Sequence, residues 1–276
     1  MIRNHAKEER KQIEQLVSAV LKSPKYRNVC EDLIENIGLR KLSKGQNLKA
    51  AVKATKNKLH QIGGAYFLKK PKYNIWLETL KEAQKAKSES AFRKLCTKMM
   101  GYHYSTRERL AILDKFYSKI FSLLPPVHSI MDVACGFNPL SIPWMPLSTD
   151  AQYYAYDIYN DMIDFINQFL AIYNVQGYAE ARDVTQKMPE ITADLALVLN
   201  TIPCFEQIEK TAGMKVLEAI NSKFVVVSFP VKTLCGREKN MRRHYEAMFN
   251  RLMREKNWSF QRLEFSSELV FLIRKR

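Results

Sequence analysis

Cysteine, glycine and long apolar runs are all scarce in this sequence. Its five cysteines are widely spaced and include no C-x-x-C pair, which argues against a disulfide framework or a zinc site and favours a reducing compartment. No apolar run approaches the roughly 18 residues that span a bilayer. The polar start MIRNHAKEERKQ is unlike a signal peptide. We therefore expect a cytoplasmic protein without a membrane segment or a metal site.

Acidic residues are also in deficit, and the deficit is uneven along the chain. The sequence has 44 Lys and Arg against 28 Asp and Glu, a formal net charge of +16. The first hundred residues hold 23 basic and 9 acidic residues, whereas residues 131–200 hold 2 basic and 9 acidic residues. A basic N-terminal third beside an acidic middle predicts a polyanion-binding region and a region with another task.

The apolar pattern changes near Gly101. Before it, stripes such as Ile13, Leu16 and Val20 have the spacing of amphipathic helices. After it, near-continuous apolar runs alternate with helical stretches, as in parallel sheets buried on both faces. We predict a helical domain at 1–101 and an α/β domain at 102–276. The expected strands are 129–134, 153–158, 178–182, 194–200 and 224–229, and the expected helices are about 138–146, 161–174, 205–220 and 238–256.

Local signals mark both ends of the α/β region. Ser105-Thr106-Arg107-Glu108 is a capping-box sequence with Ser105 as N-cap, and it predicts one long helix that ends at Pro125-Pro126. QRLEF and ELVFLI, separated by Ser266-Ser267, predict a terminal antiparallel hairpin. Five parallel strands closed by a hairpin form the Rossmann-like layout of class I S-adenosylmethionine (SAM)-dependent methyltransferases, and not that of six-stranded dinucleotide dehydrogenases.

The turn MDVACGFNPL, residues 131–140, retains one glycine of the dinucleotide fingerprint. Gly136 permits close approach of a ligand, but the neighbouring side chains crowd a pyrophosphate cradle, which the methionine part of SAM does not need. Asp157 ends the second strand, where a carboxylate accepts hydrogen bonds from ribose hydroxyls. Asp183 follows the third strand, where it can accept from an adenine amino group. These residues predict a SAM site and disfavour NAD.

Several segments resemble the aminoglycoside-resistance 16S rRNA (guanine-N7)-methyltransferases. They are KSPKYRNVC (22–30), LHQIGGAY (59–66), HYSTRERL (103–110), MDVACGFNPL (131–140), LVLNTIPCFE (197–206) and VVSFPVKTLCGREKNM (226–241). The resemblance implies methyl transfer from SAM to N7 of a guanine in the decoding A site of the small ribosomal subunit. Guanine N7 carries a free lone pair, so we expect catalysis by positioning and by extrusion of the base, without a general base.

The resemblance also implies the residues of the cofactor site. Arg109 suits the methionine carboxylate, with Arg107 as an alternative that helix periodicity leaves open. Asn200 stands where members of the family have Lys, and it is a candidate contact to the target base. Ile208 falls where some members have Gln. The expected cofactor contacts are Tyr66, His103, Tyr104, Ser105, Arg109, Ala134, Gly136, Asp157, Asp183, Val184 and Leu199.

Ribosomal RNA phosphates are the expected partners of the basic residues. The candidates are Lys69, Lys70, Lys72, Lys232, Arg237, Lys239, Arg242 and Arg243. Two other functions stay open at this point. One is adenine-N1 methylation at the same rRNA site, and the other is RNA binding or ribosome assembly by a non-catalytic protein with a methyltransferase fold.

Overall fold

A computed structural model describes residues 2–232 and 240–275, with side chains from Glu8 onward. The N-terminal third consists of helices, as predicted. Their apolar stripes face inward, and Asn47 and Ser88 cap two of them by accepting hydrogen bonds from the N–H groups of Ala50 and Ala91. The helices are α1 (Ile2–Leu21), α2 (Glu31–Leu42), α3 (Leu48–Ile62), α4 (Tyr73–Lys85) and α5 (Glu89–Met100).

The remainder alternates strands and helices. The helices are α6 (Tyr104–Arg109), α7 (Leu113–Phe121), α8 (Asn160–Tyr173), α9 (Ile202–Ile208), α10 (Ala212–Ala219) and α11 (Met241–Met253). The strands are β1 (Ser129–Val133), β2 (Gln152–Asp157), β3 (Gln176–Ala181), β4 (Ala193–Leu199), β5 (Ser222–Pro230), β6 (Ser259–Glu264) and β7 (Glu268–Arg274).

All seven strands form one sheet in the order β3-β2-β1-β4-β5-β7-β6. Strands β1 to β5 are parallel, whereas β7 runs antiparallel to both β5 and β6. The five parallel strands and the terminal hairpin confirm the predicted class I methyltransferase fold. The strand order reverses between β1 and β4, so ligands are expected at the carboxyl ends of these strands.

Three predicted helices were wrong in detail. α6 begins at Tyr104 with His103 as N-cap, because the Ser105 hydroxyl contacts the His103 ring and caps no N–H group. A 3-10 turn at 110–112 then separates α6 from α7. The expected helix 205–220 is two helices, since Glu209 has extended backbone. Residues 138–144 form a 3-10 helix that contains Pro143, which lacks the N–H of a regular α-helix.

The N-terminal helices share a hydrophobic core with the sheet. Trp76 of α4 packs edge-on against Phe137 in the turn after β1, with ring centroids 5.6 Å apart. The ring centroids of Phe92 of α5 and Phe169 of α8 lie 6.0 Å apart. This shared core holds the helices against the strand ends, while the domain boundary at residue 101 stays a prediction. Within residues 2–232 and 240–275, no helix is both long and apolar enough to cross a membrane.

Candidate functional site

A cleft of about 700 Å³ opens at the carboxyl ends of the parallel strands. We call it the cofactor cleft. Most of the predicted cofactor contacts line it, namely Tyr66, His103, Ser105, Ala134, Asp157, Asp183, Val184 and Leu199. The residues predicted from the strand ends and those implied by the family resemblance therefore lie in one cleft.

The turn after β1 is built on left-handed backbone. Ala134 has φ 53° and Gly136 has φ 52°, a region that L side chains rarely adopt. A Cβ atom on Gly136 would lie 3.0 Å from Cε1 of His103. The Gly136 N–H donates to Oδ2 of Asp157 at 2.8 Å. Gly136 therefore allows the turn to fit beneath His103 and to hold the acid at the end of β2.

Asp157 is fixed by its own neighbourhood. Besides the bond from Gly136, its Oδ1 accepts the Ile158 N–H at 2.7 Å. Burial raises the pKa of Asp157 to about 6, and the N–H donors oppose that rise. The group is ionised at neutral pH, and a carboxylate has about four acceptor positions. It therefore retains acceptor capacity for a ligand in the cleft.

Asp183 is held by helix α2, a contact that sequence reasoning missed. Its Oδ2 accepts from Nδ2 of Asn36 at 2.7 Å, and its Oδ1 accepts from the N–H and hydroxyl of Thr185. The Asp183 N–H donates to Oδ2 of Asp32 at 2.8 Å. Burial raises the pKa of Asp183. The one available signal was a polar residue, Asn36, among the buried apolar positions of α2.

His103 and Tyr66 form an aromatic wall. Their rings stack with centroids 5.8 Å apart and an interplanar angle of 18°. Burial lowers the pKa of His103 to about 4, and the charge of Arg109 adds to this effect. The imidazole is therefore neutral at physiological pH. The Tyr66 hydroxyl lies 3.1 Å from Sγ of Cys204, which fixes the tyrosine across the cleft.

A second cleft of about 370 Å³ adjoins the cofactor cleft. Tyr66, Ser105 and Asn200 line both clefts and so mark the junction. The remaining lining residues of the second cleft are Tyr104, Glu108, Pro203, Pro230, Lys232 and Tyr245. Tyr104, expected as a cofactor contact, thus lines the neighbouring cleft.

Asn200 is rigidly placed at this junction. It is 5% exposed and has φ 58°. Its Nδ2 donates to Oε1 of Glu268 at 3.2 Å, and its Oδ1 accepts from the Ser228 hydroxyl at 3.3 Å. The amide is thus anchored to the hairpin and to β5 while its residue borders both clefts.

Arg109 forms a buried ion pair with Glu268, the residue that also accepts a hydrogen bond from Asn200. Its Nε is 2.9 Å from Oε1 of Glu268, and its Nη1 donates to Oδ1 of Asn138 at 2.7 Å. Arg107 is exposed, with its guanidinium 5.5 Å over the Tyr104 ring. In the described part of the chain, neither arginine lines the cofactor cleft, nor does Gly136.

The candidate RNA contacts differ in their surroundings. Lys69, Lys70 and Lys72 are exposed in the segment before α4, and Lys69 Nζ lies 5.7 Å from the Tyr102 ring. Lys232 is exposed on the second cleft. Arg242 donates to the Phe265 carbonyl, whereas Arg243 is exposed. Arg237 and Lys239 lie outside the described residues. Among the residues described, no group of three or more His, Cys, Asp or Glu could hold a metal ion.

The comparisons with known proteins agree on a family. The model described as ribosomal RNA methyltransferase (FmrO) matches residues 22–272. A 16S rRNA (guanine(1405)-N(7))-methyltransferase of Micromonospora rosea is 36% identical over 266 residues, covering 95% of this chain and 97% of the relative. One of the same description from Serratia marcescens is 31% identical over 263 residues, covering 95% and 98%.

A solved structure extends the likeness to three dimensions. The 16S rRNA methyltransferase RmtF in complex with S-adenosyl-L-homocysteine superposes with a TM-score of 0.81 at 26% identity, covering 96% of this chain and 98% of that one. The family match spans both the helical region and the α/β region that form the cofactor cleft. This chain therefore belongs to the FmrO family of ribosomal RNA methyltransferases.

Proposed function

We propose that this protein transfers a methyl group from SAM to N7 of a guanine in the decoding A site of 16S rRNA, in the assembled small subunit, and so confers aminoglycoside resistance. The observation that carries the proposal is the pair of adjoining clefts that share Tyr66, Ser105 and Asn200. One cleft has the residues for the cofactor, and the other is open to a base. A methyl group at the junction can pass between them.

The residues of the cofactor cleft fit SAM. Asp157 offers acceptor positions for ribose hydroxyls and is held by the N–H of Gly136, whose lack of a Cβ leaves room for the His103 ring. Asp183 is suited to accept an adenine amino group, with Val184 beside it in the wall. His103, neutral and close to Tyr66, adds no positive charge beside a sulfonium. RmtF in complex with S-adenosyl-L-homocysteine is a precedent among similar structures.

Arg109 stays the expected partner of the methionine carboxylate. Its positive charge acts on His103, which lines the cofactor cleft. Arg107 is exposed and lies on the side of Tyr104. A guanidinium has five donors, so Arg109 can keep Glu268 and Asn138 and still present an N–H group. The support for this assignment is that the charge of Arg109 lowers the pKa of His103, a residue of the cofactor cleft.

The chemistry asks little of acid or base groups. When bound, SAM supplies a methyl group already activated by a positive sulfur. Guanine N7 has a free lone pair, so no side chain must remove a proton. The chain's contribution is to orient the base at the junction and to exclude water there. Tyr66 and Asn200 are positioned for this, because both are held by neighbouring groups and border both clefts.

The exposed basic residues supply an RNA-facing surface. Lys69, Lys70 and Lys72 precede α4, close in sequence to Tyr66 of the junction, and Lys232 lines the second cleft. Phosphate contacts by such residues make binding dependent on salt. Replacing the three lysines before α4 with Gln is expected to weaken subunit binding and to reduce its salt dependence, without changing SAM affinity.

The test is to map 16S rRNA from cells that express the protein. We expect one new 7-methylguanosine at the decoding site, by primer extension after cleavage at that base, together with resistance to aminoglycosides. Cells that express Asp157→Ala are expected to show neither. A 1-methyladenosine would support adenine-N1 methylation instead. Folded protein that binds subunits but leaves their rRNA unmodified would support a non-catalytic role.

A further inference from the structure

We infer that Glu108 recognises the Watson–Crick edge of the target guanine in the second cleft. This inference rests on the proposed function and deepens it, because the function does not by itself say how guanine is distinguished from adenine. The inference starts from the Glu108 carboxylate on α6, which lines the second cleft beside the cofactor cleft.

The position of Glu108 matches the geometry of a purine. Glu108 lines the second cleft and is not among the residues of the cofactor cleft, whereas Tyr66, Ser105 and Asn200 belong to both. A guanine with N7 directed to that shared side turns its N1–H and 2-amino groups away from the cofactor. Glu108 follows Ser105 by three residues on α6, so the two side chains are neighbours on one face of the helix, with Ser105 on the shared side and Glu108 in the second cleft alone.

One oxygen of Glu108 accepts no hydrogen bond from the residues that the structure describes. Its Oε2 is buried and has no hydrogen-bond partner among residues 2–232 and 240–275. Tyr104 donates a hydrogen bond to the same carboxyl group. Burial raises the pKa of Glu108 to about 7. A desolvated acceptor left unpaired is costly, and two N–H donors from a guanine would both satisfy it and favour its ionised form.

A carboxylate at this place selects guanine by hydrogen-bonding chemistry. Ionised Glu108 only accepts hydrogen bonds. Guanine presents two donors, N1–H and the 2-amino group, whereas adenine presents an acceptor at N1. Hypoxanthine retains N1–H but lacks the 2-amino group. Sites built to bond a donor discriminate strongly against a base that lacks it.

The same contact strengthens during the reaction. The N7 lone pair forms the new N–C bond while the C–S bond breaks and leaves its electron pair on sulfur, and no proton moves. The purine thereby gains the positive charge that sulfur loses. A carboxylate against the opposite edge is bonded more tightly to this cationic purine than to the neutral base, so its loss lowers kcat as well as affinity.

The experiment compares wild type, Glu108→Gln and Glu255→Gln on small subunits with methyl-labelled SAM. Glu255 is an exposed acid that lines neither cleft. We expect Glu108→Gln to lower kcat by about 10- to 100-fold, the worth of a hydrogen bond to a charged group. SAM affinity by calorimetry is expected to stay within about twofold, which also shows that the variant folds. Glu255→Gln is expected to match wild type.

A second substrate sharpens the result. In subunits reconstituted with inosine at the target position, wild type is expected to slow by about tenfold, and Glu108→Gln by much less. Wild type that leaves normal subunits unmethylated would refute the proposed function itself. If wild type methylates normal subunits and Glu108→Gln does so at the same rate, only the role of Glu108 would be overturned. The same holds if Glu108→Gln discriminates against inosine as strongly as wild type does. A loss of SAM affinity in Glu108→Gln would overturn that role too.

Discussion

The two adjoining clefts differ in how their acidic groups are satisfied. In the cofactor cleft, Asp157 is bonded by the N–H groups of Gly136 and Ile158, and Asp183 by Asn36 and Thr185. In the second cleft, Oε2 of Glu108 has no donor within the described part of the chain. The first cleft is organised by the protein alone. The second has an acceptor that a substrate could complete.

This difference suits the two ligands proposed. A cofactor that binds many times benefits from acceptors already held in place, since less ordering is required on binding. A base is recognised most selectively by a protein group that stays without a hydrogen-bond partner when the wrong base is bound. The clefts meet only at Tyr66, Ser105 and Asn200 among the described residues, so a substitution elsewhere can affect one cleft and leave the other intact.

The largest effect is expected from Asp157→Ala. The substitution removes the carboxylate at the end of β2, and it also leaves the Gly136 N–H without its acceptor. We expect SAM affinity by calorimetry to fall by about 100-fold, corresponding to roughly 3 kcal/mol for charged hydrogen bonds. The matched control is Asp150→Ala, an exposed acid outside both clefts. Equal affinity of the two variants would contradict the role of Asp157.

Gly136→Ala is expected to lower the free energy of unfolding by about 2 kcal/mol or more. It combines a strained φ of 52° with a Cβ only 3.0 Å from the His103 ring. Gly45→Ala is the control, because Gly45 has φ 76° but no atom within 4 Å of the added Cβ. We expect about 1 kcal/mol there. Denaturant unfolding measures both, and equal losses would show that crowding on His103 is immaterial.

Asn36→Ala tests whether α2 supports the cofactor cleft. Removing the donor to Oδ2 of Asp183 leaves a buried acceptor less well held. We expect SAM affinity to fall by about tenfold, in line with roughly 1–2 kcal/mol for such a bond. Asn47→Ala removes the cap of α3 instead. Asn47→Ala is expected to reduce the free energy of unfolding by about 1 kcal/mol and to leave SAM affinity unchanged. Equal SAM affinities of the two variants would refute the role of α2 in supporting the cofactor cleft.

The smallest effect concerns pH, and it separates the clefts. Both acids act in ionised form, so each contribution is present above its pKa and is lost as pH falls through it. Glu108 has a pKa of about 7 and Asp157 of about 6. As pH is lowered, we expect kcat/KM for rRNA to fall to about half of its value at high pH near pH 7. SAM affinity is expected to decline only at lower pH, near pH 6.

The pH profile has an internal control in Glu108→Gln. The charged and titratable groups around Glu108 are Tyr66, Tyr104, Arg107, Lys232, Tyr245 and Glu268. The burial of Glu108 raises its pKa more than any of these neighbouring groups does. Replacing it with Gln is expected to remove the limb near pH 7 and to leave the one near pH 6. A limb near pH 7 that persists in the variant would assign it to another group.

The sequence was most informative where structure is local. The predicted bounds of β1 to β5 lie within about two residues of the observed bounds at each end. The inner strands β1, β4 and β5 are largely buried and therefore mostly apolar, whereas β3 lies at the edge of the sheet and is mostly exposed. Because the strand bounds were predictable, the acids Asp157 and Asp183 could be placed at strand ends. The turn at Gly136 was also predictable, since its one glycine coincides with left-handed backbone.

Contacts between distant segments were not predictable from pattern. The capping box at Ser105 failed because the hydroxyl found His103 instead of a backbone N–H. Arg109 pairs with Glu268, which lies on the terminal hairpin. Asn36 reaches Asp183 across 147 positions of the sequence. No periodicity joins such residues, and the second cleft, formed by segments from Tyr66 to Tyr245, was not foreseen.

The most direct measurement is mass spectrometry of nucleosides from small subunits incubated with purified protein and methyl-labelled SAM. We expect label in 7-methylguanosine with wild type and about 100-fold less label with Asp157→Ala at limiting SAM. At saturating SAM, Glu108→Gln is expected to stay about 10- to 100-fold slower than wild type, because its defect is not in SAM binding. Label in 1-methyladenosine, or in no nucleoside while SAM binds normally, would contradict the proposed roles of the two clefts.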